Sequence, residues 1–265
     1  MSERAPLPRA KKSLGQHFLI DDNICRRIVA ALDMSAGDRV VEIGPGAGAL
    51  TRFLVQGEFE RLILIEKDEH LAELAASEWP RAKVRTGDAL EVDWAALSHP
   101  RLKVVGNLPY NVASRILWEM VLNCQTFDRG VFMIQREVAD RLAAPAGSKQ
   151  YGALSVWVQS FARVKRLFTV GPHLFRPKPK VDSAVVLLTP VAERPVHPDR
   201  LALLVRMAFQ SRRKQLGNAL KLVWSPAVDA WLAGQELDRT IRPEMLTYEQ
   251  FRELAVVMGG EAPEC

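Results

Sequence analysis

Asn107, Leu108, Pro109 and Tyr110 follow directly on the apolar run Leu102-Lys103-Val104-Val105-Gly106. Those residue types suit one demanding task, making a nucleobase amine nucleophilic. The exocyclic nitrogen of adenine is a poor nucleophile because its lone pair is delocalised into the ring. Two acceptors set around its two N–H groups draw the nitrogen toward tetrahedral geometry and localise that pair. The Asn107 side-chain oxygen is one candidate acceptor. The Leu108 main-chain carbonyl is the other, because a residue before proline is pushed out of the helical region and its carbonyl need not enter a ladder. Tyr110 offers a flat face for a base removed from its stack. The plainer alternative is a strand ending in a proline turn, with Asn107 as a turn former and Tyr110 as packing.

Such a group must be delivered by a strand, and the preceding chain supplies a series of them. Arg39–Ile43 reads as a buried strand followed by Gly44-Pro45-Gly46-Ala47-Gly48 and a helix from about Ala49. A strand, a glycine loop and a helix N-terminus let backbone approach a ligand closely. With Ala49 the loop satisfies the relaxed dinucleotide fingerprint, so both NAD and S-adenosylmethionine fit it. The next strand ends in Glu66, at the spacing where a carboxylate meets ribose hydroxyls, although a solvated Glu beside Lys67 and Asp68 is an equal alternative. A third strand, 82–85, leads to Thr86-Gly87-Asp88. There Asp88 either accepts from an adenine amino group or caps the following turn. Gly44, Glu66, Asp88 and Asn107 thus all stand at strand ends that lead into helices, the edge where doubly wound sheets bind ligands.

The Asn107-Leu108-Pro109-Tyr110 sequence resembles the Asn-Pro-Pro-Tyr type motif of amino-methyltransferases, in the form found in rRNA adenine N6-dimethyltransferases. The order of glycine loop, ribose acid, adenine-binding Asp and catalytic motif is similar to that of Rossmann-like methyltransferases. Gly15-Gln16-His17-Phe18-Leu19 resembles a segment of the same family that lies across the cofactor, with His17 where Asn is frequent. The resemblance implies S-adenosyl-L-methionine as cofactor, bound by His17, Leu19, Gly44, Gly46, Glu66, Asp88 and Asn107. An NAD enzyme would leave the Asn-Leu-Pro-Tyr stretch without a task. Pro179-Lys180-Val181-Asp182-Ser183 also resembles the family, and there the aromatic of the preceding loop lies at the target-base pocket. Phe175 is therefore expected to clamp the base opposite Tyr110, with packing of the loop base as its alternative.

Phe209-Gln210-Ser211-Arg212-Arg213-Lys214-Gln215-Leu216-Gly217-Asn218-Ala219-Leu220 is similar to a segment of the small-subunit enzymes. Arg212, Arg213 and Lys214 either hold a phosphate backbone or form a solvated face. The resemblance runs from about residue 12 to 254. It implies the small-subunit (16S) rRNA adenine dimethyltransferase family known through kasugamycin sensitivity. The implied reaction is successive N6-dimethylation of two adjacent adenosines near the 3′ end of 16S rRNA, on a partly assembled small subunit. Two alternatives stay open: the antibiotic-resistance dimethyltransferase of large-subunit rRNA, and a noncatalytic RNA-binding assembly factor. Read from the residues alone, the function stops at amino-methylation of a nucleic-acid base.

The remaining sequence sets bounds. The 265 residues suffice for one large domain and a small one, and 48% apolar with 25% charged residues supports a sizeable core. A net charge of +5 matters only where the cations cluster. Cys25, Cys124 and Cys265 are scattered, which points to a reducing compartment and no zinc site. No signal peptide or membrane-length apolar run is evident, so a cytoplasmic protein without membrane or metal partner is expected. The expected architecture is α/β, a mostly parallel doubly wound sheet of the Rossmann-like class I methyltransferase type with a small all-helical C-terminal domain. Its expected divisions are a basic arm and cofactor-covering segment (1–20), a cofactor-binding domain (21–190) and a helical RNA-binding domain (191–265). Strands are predicted at 164–170 and 181–188, a helix from 151 to 161, and helical pattern from 201 to 223.

Overall fold

The computed structural model describes residues 7–8, 10–11, 14–210 and 214–259. They divide into two compact units, one running to Ala139 and resuming at Lys165–Pro190, the other comprising Asp140–Val164 and the chain from Val191. The second unit thus takes in 140–164 as well as the residues beyond the expected boundary at 190.

In chain order the elements are β1 (Phe18–Leu19), α1 (Asp22–Ala30), β2 (Arg39–Ile43), α2 (Thr51–Leu54), β3 (Arg61–Glu66), α3 (Glu69–Glu78) and β4 (Ala82–Thr86). Next come α4 (Trp94–Leu97), β5 (Leu102–Asn107), α5 (Ala113–Asn123), β6 (Arg129–Gln135), α6 (Arg136–Leu142), α7 (Ala153–Gln159) and β7 (Ala162–Val170). The last are β8 (Phe175–Arg176), β9 (Ser183–Pro190), α8 (Pro198–Phe209), α9 (Leu216–Ala219), α10 (Pro226–Gly234) and α11 (Tyr248–Val257).

The large sheet has the order β4-β3-β2-β5-β6-β9-β7. Strands β4 to β6 run parallel, and β9 enters antiparallel against β6. The strand order reverses between the interior strands β2 and β5, the switch point at which such sheets bind ligands. The central strands are near-continuous apolar runs because helices cover both faces. Val40, Val41, Leu62, Leu64, Val104 and Val105 are all buried. Asp21 caps α1 by accepting from the Ile24 amide at 2.9 Å, and Ile24, Cys25 and Ile28 bury one face of that helix. The helix expected from Ala49 is a single turn, α2, preceded by turns through the glycine loop.

In the second unit, Leu201, Leu204, Val205 and Ala208 form the apolar stripe of α8, at helical spacing. Phe209 at its end stacks on Phe251 with centroids 5.6 Å apart and meets the Tyr151 ring edge at 6.5 Å. Thr247 and Gln250 form a reciprocal capping box at the start of α11. Among the described residues of the span 201–223, the expected helical pattern is met by α8 and the short α9. Arg212 and Arg213 lie outside the described residues, and Lys214 is exposed. Among the described residues, no helix is long and apolar enough to cross a membrane.

Candidate active site

Strand register brings the chemistry-bearing residues to one edge. Ile43 aligns with Ile65 of β3 and with Gly106 of β5, Glu66 aligns with Thr86, and Asn107 aligns with Met133. The residues immediately beyond these positions, Gly44, Gly87-Asp88 and Leu108, therefore share the carboxyl edge with Glu66 and Asn107. They surround an open cleft lined by Gly44, Gly46, Glu66, Asp88, Asn107, Leu108 and Tyr110. His17 and Leu19 complete the wall from the N-terminal segment. All the residues expected from sequence to bind cofactor meet there, together with three of the four expected to act on the base.

The glycine loop is shaped for a ligand. Gly44 has a φ of +66°, and a Cβ there would meet nothing within 4 Å, so the loop leaves open space where a side chain would intrude. Gly46, at φ +56°, would drive a Cβ to 3.1 Å from the Phe18 ring. Its amide donates instead to Glu66 Oε2 at 3.0 Å, and the Asp68 amide donates to Glu66 Oε1 at 2.9 Å. Burial raises the Glu66 carboxyl above its ordinary range, and these backbone donors oppose that shift. Asp88 takes the capping role of the two open to it in sequence. Its Oδ1 accepts from the Leu90 amide at 3.0 Å, capping the turn, while Oδ2 accepts from Lys67 Nζ at 2.6 Å. The Leu90 amide first, then the Lys67 ammonium, hold its carboxyl below the usual range, so it stays an acceptor.

Asn107 is fixed by the N-terminal segment. Its Nδ2 donates to the His17 carbonyl at 2.9 Å, which leaves Oδ1 as the acceptor. The Leu108 amide donates to the Met133 carbonyl at 3.0 Å, whereas the Leu108 carbonyl accepts no hydrogen bond from another described residue. Neither acceptor expected from the sequence is taken by another described residue. The Tyr110 hydroxyl pairs with Ser183 at 2.6 Å, and its ring stacks on His17 with centroids 5.5 Å apart and planes at 26°. Burial raises the Tyr110 phenol, with the Ser183 bond pulling the other way, so the group stays neutral.

Phe175 requires a correction. It is 0% exposed, pairs with Leu19 between β8 and β1, and lies in the core with Leu19, Val170 and Val185. It does not line the cleft, and its ring packs the base of the proline-rich loop. Two residues escaped the sequence reading. Glu42, 1% exposed on β2, accepts from the Thr51 hydroxyl at 2.7 Å at the floor of the cleft. Burial raises its carboxyl to about 8. Asp68, also buried, pairs with Lys11 at 2.8 Å and ties the N-terminal segment down beside Glu66. An acidic residue inside an apolar strand run was the available signal for Glu42. Nothing in sequence links Lys11 to Asp68.

Comparison with known proteins places this geometry. The family model described as ribosomal RNA adenine dimethylase matches residues 8–258. A protein of Maridesulfovibrio salexigens named ribosomal RNA small subunit methyltransferase A is 51% identical over 258 residues, covering 96% of this chain and 98% of its own. Its namesake in Pseudomonas aeruginosa is 44% identical, with 93% and 94% covered. Among solved structures, a dimethyladenosine transferase from Plasmodium falciparum superposes with a TM-score of 0.74 at 23% identity, covering 92% of this chain and 98% of that one. The 23S rRNA methyltransferase ErmE gives 0.69 at 24%, with 91% and 99% covered. At those identities the two structures share the fold.

Proposed function

The chain belongs to the ribosomal RNA adenine dimethylase family, and on that premise we propose its substrate and site chemistry. It transfers methyl groups from S-adenosyl-L-methionine to the N6 of two adjacent adenosines near the 3′ end of 16S rRNA, in a partly assembled small subunit. The relatives named for the small subunit support that substrate over the large-subunit one. The observation that carries the chemistry is the free acceptor pair, Asn107 Oδ1 and the Leu108 carbonyl, at the rim of the cleft that holds Gly44, Glu66 and Asp88.

The bound cofactor supplies an electrophilic methyl group on a sulfonium, already joined to a good leaving group. The residues present suit it: an open glycine loop, a carboxylate at Glu66 for ribose hydroxyls, and an ionised Asp88 for an adenine amino group. What remains for the protein is positioning for in-line transfer. The two acceptors hold the N–H groups of the target amine and localise its lone pair toward the methyl. Tyr110 supplies the stacking face, and its orientation is set by Ser183. The amine proton becomes acidic as the new bond forms and leaves late, to Asn107 Oδ1 or water, so no His or Cys base is assigned. In the second unit, Arg212, Arg213 and Lys214 hold rRNA phosphates.

The test is transfer of labelled methyl from S-adenosylmethionine to small and large subunits, each lacking its own dimethyladenosines. The proposal expects incorporation into small subunits. Incorporation confined to large subunits would overturn it.

A further inference from the structure

Phe53 and Phe168 are half-buried rings at the margin of the core that Cys25 and Ile28 of α1 enter, and each carries an arginine on its face. We propose that this arginine-covered side of the first unit, formed by α1, α2 and β7, is a further contact surface for rRNA phosphates. It rests on the rRNA reading of the cleft and adds to it a course for the RNA outside the cleft.

The cations are held by packing. Arg26 and Arg27 are neighbours on α1 and point about 100° apart, as successive helical residues do, so they reach different rings. The Arg27 guanidinium carbon lies 3.8 Å from the Phe168 ring centroid, and that of Arg26 lies 5.1 Å from Phe53. Arg52 covers Phe53 as well, at 4.8 Å. Arg166 stands two residues before Phe168, so it shares that face of the edge strand β7, and it is exposed. Asp22 is the acid among them, and it is paired with Arg52. The Arg27 side chain, by contrast, makes no hydrogen bond or ion pair to another described residue, and its partner is the Phe168 ring.

That arrangement suits an anion. A ring attracts a guanidinium through its charge and leaves the N–H groups unused. Those donors form a rigid planar fork that matches two phosphate oxygens, and a cation already positioned loses little freedom on binding. The arginines are spread over two separate rings, which fits successive phosphates of a chain better than one small anion. The face also continues into the cleft. Arg52 Nε donates to the Ala49 carbonyl at 3.3 Å, and Ala49 and Leu50 line the cleft, as does Leu19 just before α1. An RNA strand whose base enters the cleft thus meets these cations as it leaves the rim.

The experiment measures equilibrium binding of the full chain to small subunits lacking the modification, over a range of salt. The parent is compared with the triple variant Arg26→Gln, Arg27→Gln and Arg166→Gln, and with the same three positions changed to lysine. The proposal expects the glutamine variant to lose about 10-fold or more in affinity and to flatten the log–log salt slope by roughly 2–3, at roughly 0.7–0.9 for each lost contact. The lysine variant keeps the charges and should return the slope to the parental value. Affinity for S-adenosylhomocysteine should stay within about twofold in both, because none of the three residues lines the cleft. Parental affinity and slope in the glutamine variant would overturn the proposal. A lysine variant as weak as the glutamine one would do the same, since charge would not be the cause. A loss toward subunits with parental binding of deproteinised 16S rRNA would also overturn it, because the face would then meet an acidic protein. A parent that binds subunits with the expected slope and transfers no methyl would instead count against the amine-methylation reading.

Discussion

The Asn107 amide donates to the His17 carbonyl at 2.9 Å, across 90 residues of sequence. The contact leaves Oδ1 as the free end of the Asn107 side chain and ties the N-terminal segment to the proposed catalytic geometry. Asn107→Asp tests it. The variant keeps an acceptor for the target amine but sets a carboxylate oxygen against the His17 carbonyl, where a donor is needed. The transfer rate should fall by about 100-fold or more, as for loss of a preorganised polar contact. Single-turnover kinetics with saturating cofactor would register it, and a parental rate would contradict the assigned orientation.

Glu66→Ala should weaken cofactor binding. The carboxylate is organised by the Gly46 and Asp68 amides, and its removal also leaves those donors unpaired beside the glycine loop. The expected loss is about 1–3 kcal/mol in affinity for S-adenosylhomocysteine, read by calorimetric titration. Unchanged affinity would remove Glu66 from the ribose site.

Phe175→Ala should behave as a core truncation. With the ring fully buried among Leu19, Val170 and Val185, the loss is on the order of 3–5 kcal/mol of stability, visible in denaturant unfolding. The folded fraction should retain base stacking on Tyr110. A variant with parental stability and lost transfer would return Phe175 to the base pocket.

The contrast between these residues explains what the sequence disclosed. Gly44, Glu66, Asp88 and Asn107 were legible because parallel strands in register carry their C-terminal neighbours to one edge whatever the loops do. Phe175 was not legible. One aromatic in a proline-rich stretch has no periodicity, and its partner Leu19 comes from the other end of the unit. Glu42 was hidden for the opposite reason, since the apolar run around it read as strand and nothing more. The end of α8 at Phe209 is not legible in sequence because apolar spacing continues through Leu216 and Leu220, which are buried. The inclusion of 140–164 in the second unit depends on long-range packing, which composition shifts do not register.

Glu42 gives a pH prediction. Burial lifts its carboxyl to about 8 from an ordinary 4.5, with the Thr51 hydroxyl opposing and the neighbouring Glu66 adding to the rise. The native state therefore binds this proton more tightly than the unfolded chain does. Its contribution to stability is fully present below 4.5 and is lost as pH rises through 8. Glu42→Gln keeps an acceptor for Thr51 and removes the titration. Thermal midpoints measured from about pH 5 to about pH 9 should fall less steeply in the glutamine variant than in the parent. Parallel slopes would place the proton elsewhere.

The most direct test is nucleoside mass analysis of 16S rRNA after reaction of unmodified small subunits with S-adenosylmethionine and either the parent or Asn107→Ala. The account predicts N6,N6-dimethyladenosine at two adjacent positions near the 3′ end with the parent. With the alanine variant it predicts none, at an unfolding midpoint close to the parent's, because a half-buried side chain at the cleft rim is removed. Equal dimethylation by the alanine variant, or methylation at a site other than an adenine amine, would contradict it.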